Sequence, residues 1–176
     1  MVNQEACQTV GRCRLVSLPS AFRAYGAGLA LDPADAASVA EAIPVLEELT
    51  TSLDLLVIAP AEPGPHDRAS DAARDEVLST MSGTGLVEHF RRHAVAPVLM
   101  VRTLLPWLAT GDGARVLLVT NGLGSLTNKS GGGDYATSAS ATALHMLTRA
   151  LANDLIEERI IVCLGNPGIY AVTSDD

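Results

Sequence analysis

The chain alternates two kinds of apolar pattern. Short continuous runs, "LDLLVIAPA" at 53–61 and "ARVLLVT" at 114–120, have the length and two-faced apolarity of strands buried on both sides of a parallel sheet. "CRLVSL" at 13–18 and "AGLALD" at 27–32 read as further strands, and "IIVCLGNPG" at 160–168 as a closing strand and turn. Between them lie longer stretches whose apolar residues recur every three or four positions. "PADAASVAEAIPVLEELTTS" at 33–52 predicts a helix with Asp32 as its cap and Pro33 in its first turn. "TGLVEHFRRHAVAPVLMVRTLLPWLATG" at 84–111 predicts a long helix, kinked at Pro97 and stopped near Pro106 and Gly111. From about Asp134 to Glu158 a further helix carries Leu144, Leu147, Leu151 and Leu155 as one apolar stripe. The segments "EPGPHDRASDAARDEVLS" and "NGLGSLTNKSGGG" read as loops, the first with a short helix inside it.

Strand and helix in alternation, with buried-type strands, predict an α/β fold of the Rossmann-like, doubly wound parallel-sheet kind. No repeat or linker divides the chain, so residues 1–176 read as a single domain. Aromatic residues make up only 3%, so its core must be aliphatic. A formal net charge of −8 argues against nucleic acid or an anionic membrane as a partner, since both repel an acidic surface. The longest apolar runs are interrupted by Arg102 and Pro106, so no transmembrane helix is expected, and no signal peptide is visible at the start. Cys7, Cys13 and Cys163 have no metal-ligand spacing and read as reduced thiols of a cytoplasmic protein, with Cys163 in the core.

The second half carries a more specific signal. "GARVLLVTNGLGSLTNKSGGGDYATSASATALHMLTRALANDL" aligns without a gap to the stretch that short-chain dehydrogenases/reductases typically write as "G.IVNVSS..GS.....SGG..AY.ASKAAL.MLTR.LA.EL". "LALDPADAASV", "LDLLVIAPA" and "FRRHAVAPVLMVRTLLPWL" resemble, more weakly, the family's "LDVTD..SV", "LDLLINNAG" and "F.VNVLGPF...Q.LLP.L". The resemblance covers roughly residues 12–173. It implies a dinucleotide-binding fold and an Asn–Ser–Tyr–Lys set, in which the tyrosine exchanges a proton with the substrate oxygen and the lysine lowers the tyrosine's pKa and holds the ribose.

Carried over position by position, the asparagine falls on His93, the serine on Asn121, the tyrosine on Thr137 and the lysine on Ala141. All four differ from the family's pattern. A shifted register that made Tyr135 the acid would need a lysine at 139, which is alanine, and Lys129 is the only lysine in the chain. The family's Gly-rich turn after the first strand is not found near residue 1, and Ile58, Ala59, Pro60 and Ala61 stand in place of "NNAG". The sheet is therefore expected to be incomplete, without the first strand and its Gly-rich turn and without the family's C-terminal strand. Asp32 is the one retained polar mark of the cofactor site, and it serves equally as a helix cap. Gly122 and Gly124 follow a strand but are not followed by a helix, as a phosphate loop requires.

The resemblance then implies a degenerate family member that binds no cofactor alone. In this role it is a pseudoenzyme, the non-catalytic subunit of a heteromeric oxidoreductase such as a heterotetramer, with NAD(P) and the intact tetrad on the partner. The family's assembly helices correspond to about 86–109 and 135–158. Lopsided pairs of this kind oxidise a carrier-bound β-hydroxy acyl or aminoacyl group in antibiotic biosynthesis. Two other readings stay open: a cofactor-independent cyclase, isomerase or dehydratase using His93, Asn121 and Thr137, and a binding module without chemistry. His89 and His93 share a helix face at the spacing of a metal pair, but no third ligand is evident, and they read as one exposed and one partly buried histidine rather than a metal site.

Overall fold

Residues 32–59 and 77–167 are described by the computed structural model. They form a parallel sheet of three strands, β1 (Leu55–Ile58), β2 (Arg115–Val119) and β3 (Ile161–Gly165), in the order β1-β2-β3. Leu56 stands opposite Val116 and Ile58 opposite Leu118, which puts four aliphatic side chains on one face. All four are buried and join Val101, Leu104, Leu108 and Leu144 in one core. The opposite face of β1 and β2, with Leu55, Val57 and Leu117, is half-buried. The continuous apolar runs thus belong to strands with one closed and one partly open face. The expected strands at 13–18 and 27–32 lie outside the described residues.

Helix α1 (Ala36–Leu49) precedes the sheet. Its cap is Asp35, whose carboxylate accepts from Ala37 N–H at 3.0 Å, and not Asp32. Asp32 instead opens a turn ahead of the helix: its carbonyl accepts from Asp35 N–H at 3.0 Å and its carboxylate from Ala34 N–H at 2.9 Å. Pro33 sits second in that turn, where its fixed φ is favoured.

β1 is joined to β2 through a long helical segment: α2 (Gly83–Phe90), a π-helical turn (Arg91–Val95) and α3 (Ala96–Ala109). The predicted kink at Pro97 is this π turn. Pro97 has no N–H to donate and its ring crowds the carbonyl one turn back. Widening the preceding turn lets Ala96 N–H bond Arg91 O, five residues away, and the helix continues. Pro106 lies inside the helix, which runs to Ala109 and ends just before Gly111, as expected. Its end is fastened from outside: Trp107 Nε1 donates to Thr50 O at 3.2 Å, and Leu53 N–H donates to Trp107 O at 2.9 Å.

β2 leads through a short 3-10 turn (Gly122–Gly124) and a glycine-rich loop into α4 (Tyr135–Asp154). The leucine stripe on α4 faces its own core: Leu144 and Leu155 are buried, and Leu147 and Leu151 pack against the same cluster. Cys163, expected in the core, is exposed, because β3 is an edge of the described sheet and Ile161 and Leu164 beside it are 52% and 38% exposed. Among the described residues no helix is long and apolar enough to cross a membrane.

Candidate functional site

The four positions singled out by the tetrad alignment meet. His93 on the π turn, Asn121 after β2, and Thr137 and Ala141 on α4 line one cavity of ≈ 210 Å³ together with Ser140 and Asn166. It lies where β2 and β3 end, the edge at which ligands gather in open α/β sheets. Among the described residues its remaining walls are Val119, Thr120, Leu144 and Pro167, and none of these brings a carboxylate, ammonium or guanidinium.

The π turn and α2 set the histidines. His89 is buried, not exposed as the sequence led one to expect, and His93 is half-buried. Their rings stack with centroids 4.1 Å apart and planes inclined by 23°, a face-to-face arrangement that does not converge on a metal. Among the described residues no group of three potential metal ligands occurs. His89 Nδ1 shares a 3.1 Å hydrogen bond with Ser140 Oγ, which also reaches Thr137 O at 3.2 Å. Burial, the neighbouring His89 and then Arg92 push the His93 imidazole down to about 4, so it is neutral at physiological pH. The arginines next to it are held elsewhere: Arg91 and Arg92 both donate to Glu88, which keeps that carboxyl well below the usual range, and Arg91 also donates to Ala34 O.

Asn121 Oδ1 accepts from Leu123 N–H at 3.0 Å, fixing the amide at the start of the 3-10 turn. That turn lies hard against α4. A Cβ on Gly124 would come within 2.9 Å of the Ala141 backbone and 2.5 Å of His145 Cε1, so only glycine fits there without displacing the helix. Thr142 Oγ1 donates to Gly124 O at 3.0 Å from the same side. His145, which the sequence did not single out, shares a 3.0 Å hydrogen bond with Thr120 Oγ1 and ties α4 to the end of β2. Ser140 was also missed. Its partner is 51 residues away on another helix, and no local spacing signals such a pair.

Lys129 is fixed in the glycine-rich loop. Its Nζ donates to Gly133 O at 2.8 Å and to the Asp134 carboxylate at 3.3 Å. Asp134, with φ 51°, takes a left-handed conformation immediately before α4, and Tyr135 is the first residue of that helix, half-buried. The chain's one lysine therefore secures the loop ahead of the helix.

For a nicotinamide cofactor the fit is poor among the described residues. Ala141 supplies no cation and Thr137 no phenol where the family anchors and protonates. The Asp32 carboxylate is engaged by the turn before α1.

A family model for short chain dehydrogenases matches residues 16–175. The C-signal protein of Myxococcus xanthus is 37% identical over 91 residues, 52% of this chain and 55% of that protein. Among solved structures, the Pseudomonas aeruginosa RhlG/NADP active-site complex is similar with a TM-score of 0.66 at 26% identity, over 82% of this chain and 53% of that one. NADPH-bound carbonyl reductase from chicken fatty liver has a TM-score of 0.68 at 21% identity, over 81% and 57% of the two chains, a likeness of fold alone. The chain spans about half the length of these relatives.

Proposed function

The chain belongs to the short chain dehydrogenase family of oxidoreductases, and from that premise we propose that it is an auxiliary subunit that does not itself transfer hydride. One observation carries this reading: the four positions of the family's tetrad come together on one cavity, yet they hold His93, Asn121, Thr137 and Ala141. A hydride-transferring site of this family needs a proton donor made acidic by an adjacent cation, and this wall has neither. The partner is an intact dehydrogenase that holds NAD(P), and the substrate class is a carrier-bound β-hydroxy acyl or aminoacyl group. The contact surface comprises α2, α3 and α4, where Val87, Phe90, Leu99 and Met146 are exposed. A stable pairing there would bury roughly 800 Å² on each chain.

The test is affinity capture of the tagged protein from its native host, read by native mass spectrometry. The expected result is an intact dehydrogenase at fixed stoichiometry, with NAD(P)-dependent oxidation appearing only in the pair. Recovery of a monomer or homo-oligomer alone, or hydride transfer by the isolated chain, overturns the reading.

A further inference from the structure

We propose that the cavity walled by His93, Asn121, Thr137 and Ser140 has a chemistry of its own, removing and returning a proton beside the carbonyl of a small uncharged ketone, with the His93 imidazole as base. The cavity combines three properties. Among the described residues it encloses ≈ 210 Å³, a volume that suits a compact molecule. Among the described residues its polar lining is of hydroxyls, amides and one imidazole, which favours an uncharged molecule over a carboxylate or phosphate. The His93 imidazole is held rather than free: the π turn carries it, His89 stacks against it at 4.1 Å, and His89 is in turn fixed by Ser140. π turns of this kind recur at functional sites.

The step balances without an oxidant. The α-carbon's C–H pair becomes the C=C bond of the enolate, the carbonyl π pair moves onto oxygen as its negative charge, and the proton passes to the His93 nitrogen, which becomes an imidazolium until it gives the proton back. Return to the same carbon gives exchange with solvent; delivery to a conjugated carbon gives isomerisation. A hydrogen bond from the polar lining of the cavity to the developing enolate oxygen would lower the barrier. Among the described residues the groups that act on His93 come from α2, its own turn and α4. His89 from α2 and Arg92 of its own turn disfavour its charged form, and α4 presents the hydroxyls of Thr137 and Ser140 to the same cavity. A weakly basic group that is fully unprotonated at neutral pH is serviceable here, as the aspartate of ketosteroid isomerase, with a pKa of about 4.6, shows for that enzyme.

The test uses the full chain with no nucleotide added and follows loss of the α-proton NMR signals of cyclohexanone, cyclopentanone and acetone in D2O. The expected result is exchange with at least one ketone that exceeds buffer, saturates with its concentration, rises through about pH 4 to a plateau, and falls at least tenfold in His93→Gln. Exchange with all three ketones no faster than buffer, or undiminished in a folded His93→Gln, overturns the proposal. Should His93→Gln not fold, histidine-labelled wild-type protein decides. A His93 Cε1 resonance moved by an exchanging ketone and not by cyclohexanecarboxylate supports the proposal, and any other response overturns it. Because the isolated chain is used, failure here leaves the partner-subunit reading intact, and capture of a dehydrogenase does not count as success here.

Discussion

His93 links the cavity to the stability of the fold. In an unfolded chain its imidazole titrates near 6.5, and in the folded one near 4. Between those values the unfolded state binds more protons. The neutral ring therefore contributes stability that is complete above about pH 6.5 and is lost as pH falls toward about 4, at most about 3 kcal/mol by the linkage relation. Thermal melts across that range should show the midpoint falling with pH, and His93→Gln should flatten this part of the profile. Ser138 behaves in the opposite sense. Its hydroxyl is buried with no hydrogen-bond partner among the described residues. Leaving such a group unsatisfied costs about 1–3 kcal/mol, so Ser138→Ala should raise the melting midpoint. Gly124→Ala should lower it, through a destabilisation of about 1–3 kcal/mol, because the added methyl has the Ala141 backbone in its way and not merely a movable side chain.

At the scale of elements, periodicity reads well where packing and pattern agree. β1, β2, α1 and α4 fall inside the stretches whose apolar spacing announces them, because a buried face imposes its own period on the sequence. The prolines of the long helix leave it unbroken for a physical reason. Pro97 and Pro106 each remove one hydrogen bond, but a π turn absorbs the first, and tertiary anchors at Thr110 and Trp107 hold the end beyond the second. Neither remedy is written locally. The cavity is half legible: the alignment places His93, Asn121, Thr137 and Ala141, whereas Ser140, His145 and the stacking of His89 on His93 depend on how α2 and α4 cross. The exposure of Cys163 likewise follows from the position of β3 in the sheet, which no residue of that strand announces. Because Leu144 is buried in the core and forms part of the cavity wall, Leu144→Ala should cost about 2–5 kcal/mol by opening a void there. Denaturant melts would show it as a lower midpoint with an unchanged slope.

For the whole molecule the question is which surface the helices leave for another chain. His89 turns inward from α2 to meet Ser140 of α4, while Val87 and Phe90 on the same helix turn outward, 69% and 40% exposed. Met146 on α4, 68% exposed, and Leu99 on α3, 40% exposed, add apolar area that the core does not use. The leucine stripe is largely committed to the core, with Leu144 and Leu155 buried and Leu147 and Leu151 half-buried against it, so association through these helices should draw mainly on this other set of side chains. That makes the assembly reading separable from stability. Val87→Glu and Met146→Glu place carboxylates on exposed positions, where substitutions ordinarily shift stability by no more than about 0.5 kcal/mol. At the centre of a helix–helix contact the same charges would be buried without partners, and association should weaken at least a hundredfold. Native mass spectrometry of the captured complex and a thermal melt of the isolated chain read the two effects independently. Loss of the partner with an unmoved melt places the contact on these helices. Retention of the partner by both variants moves the contact to another surface, and the outward apolar residues of α2 and α4 then have no part in assembly.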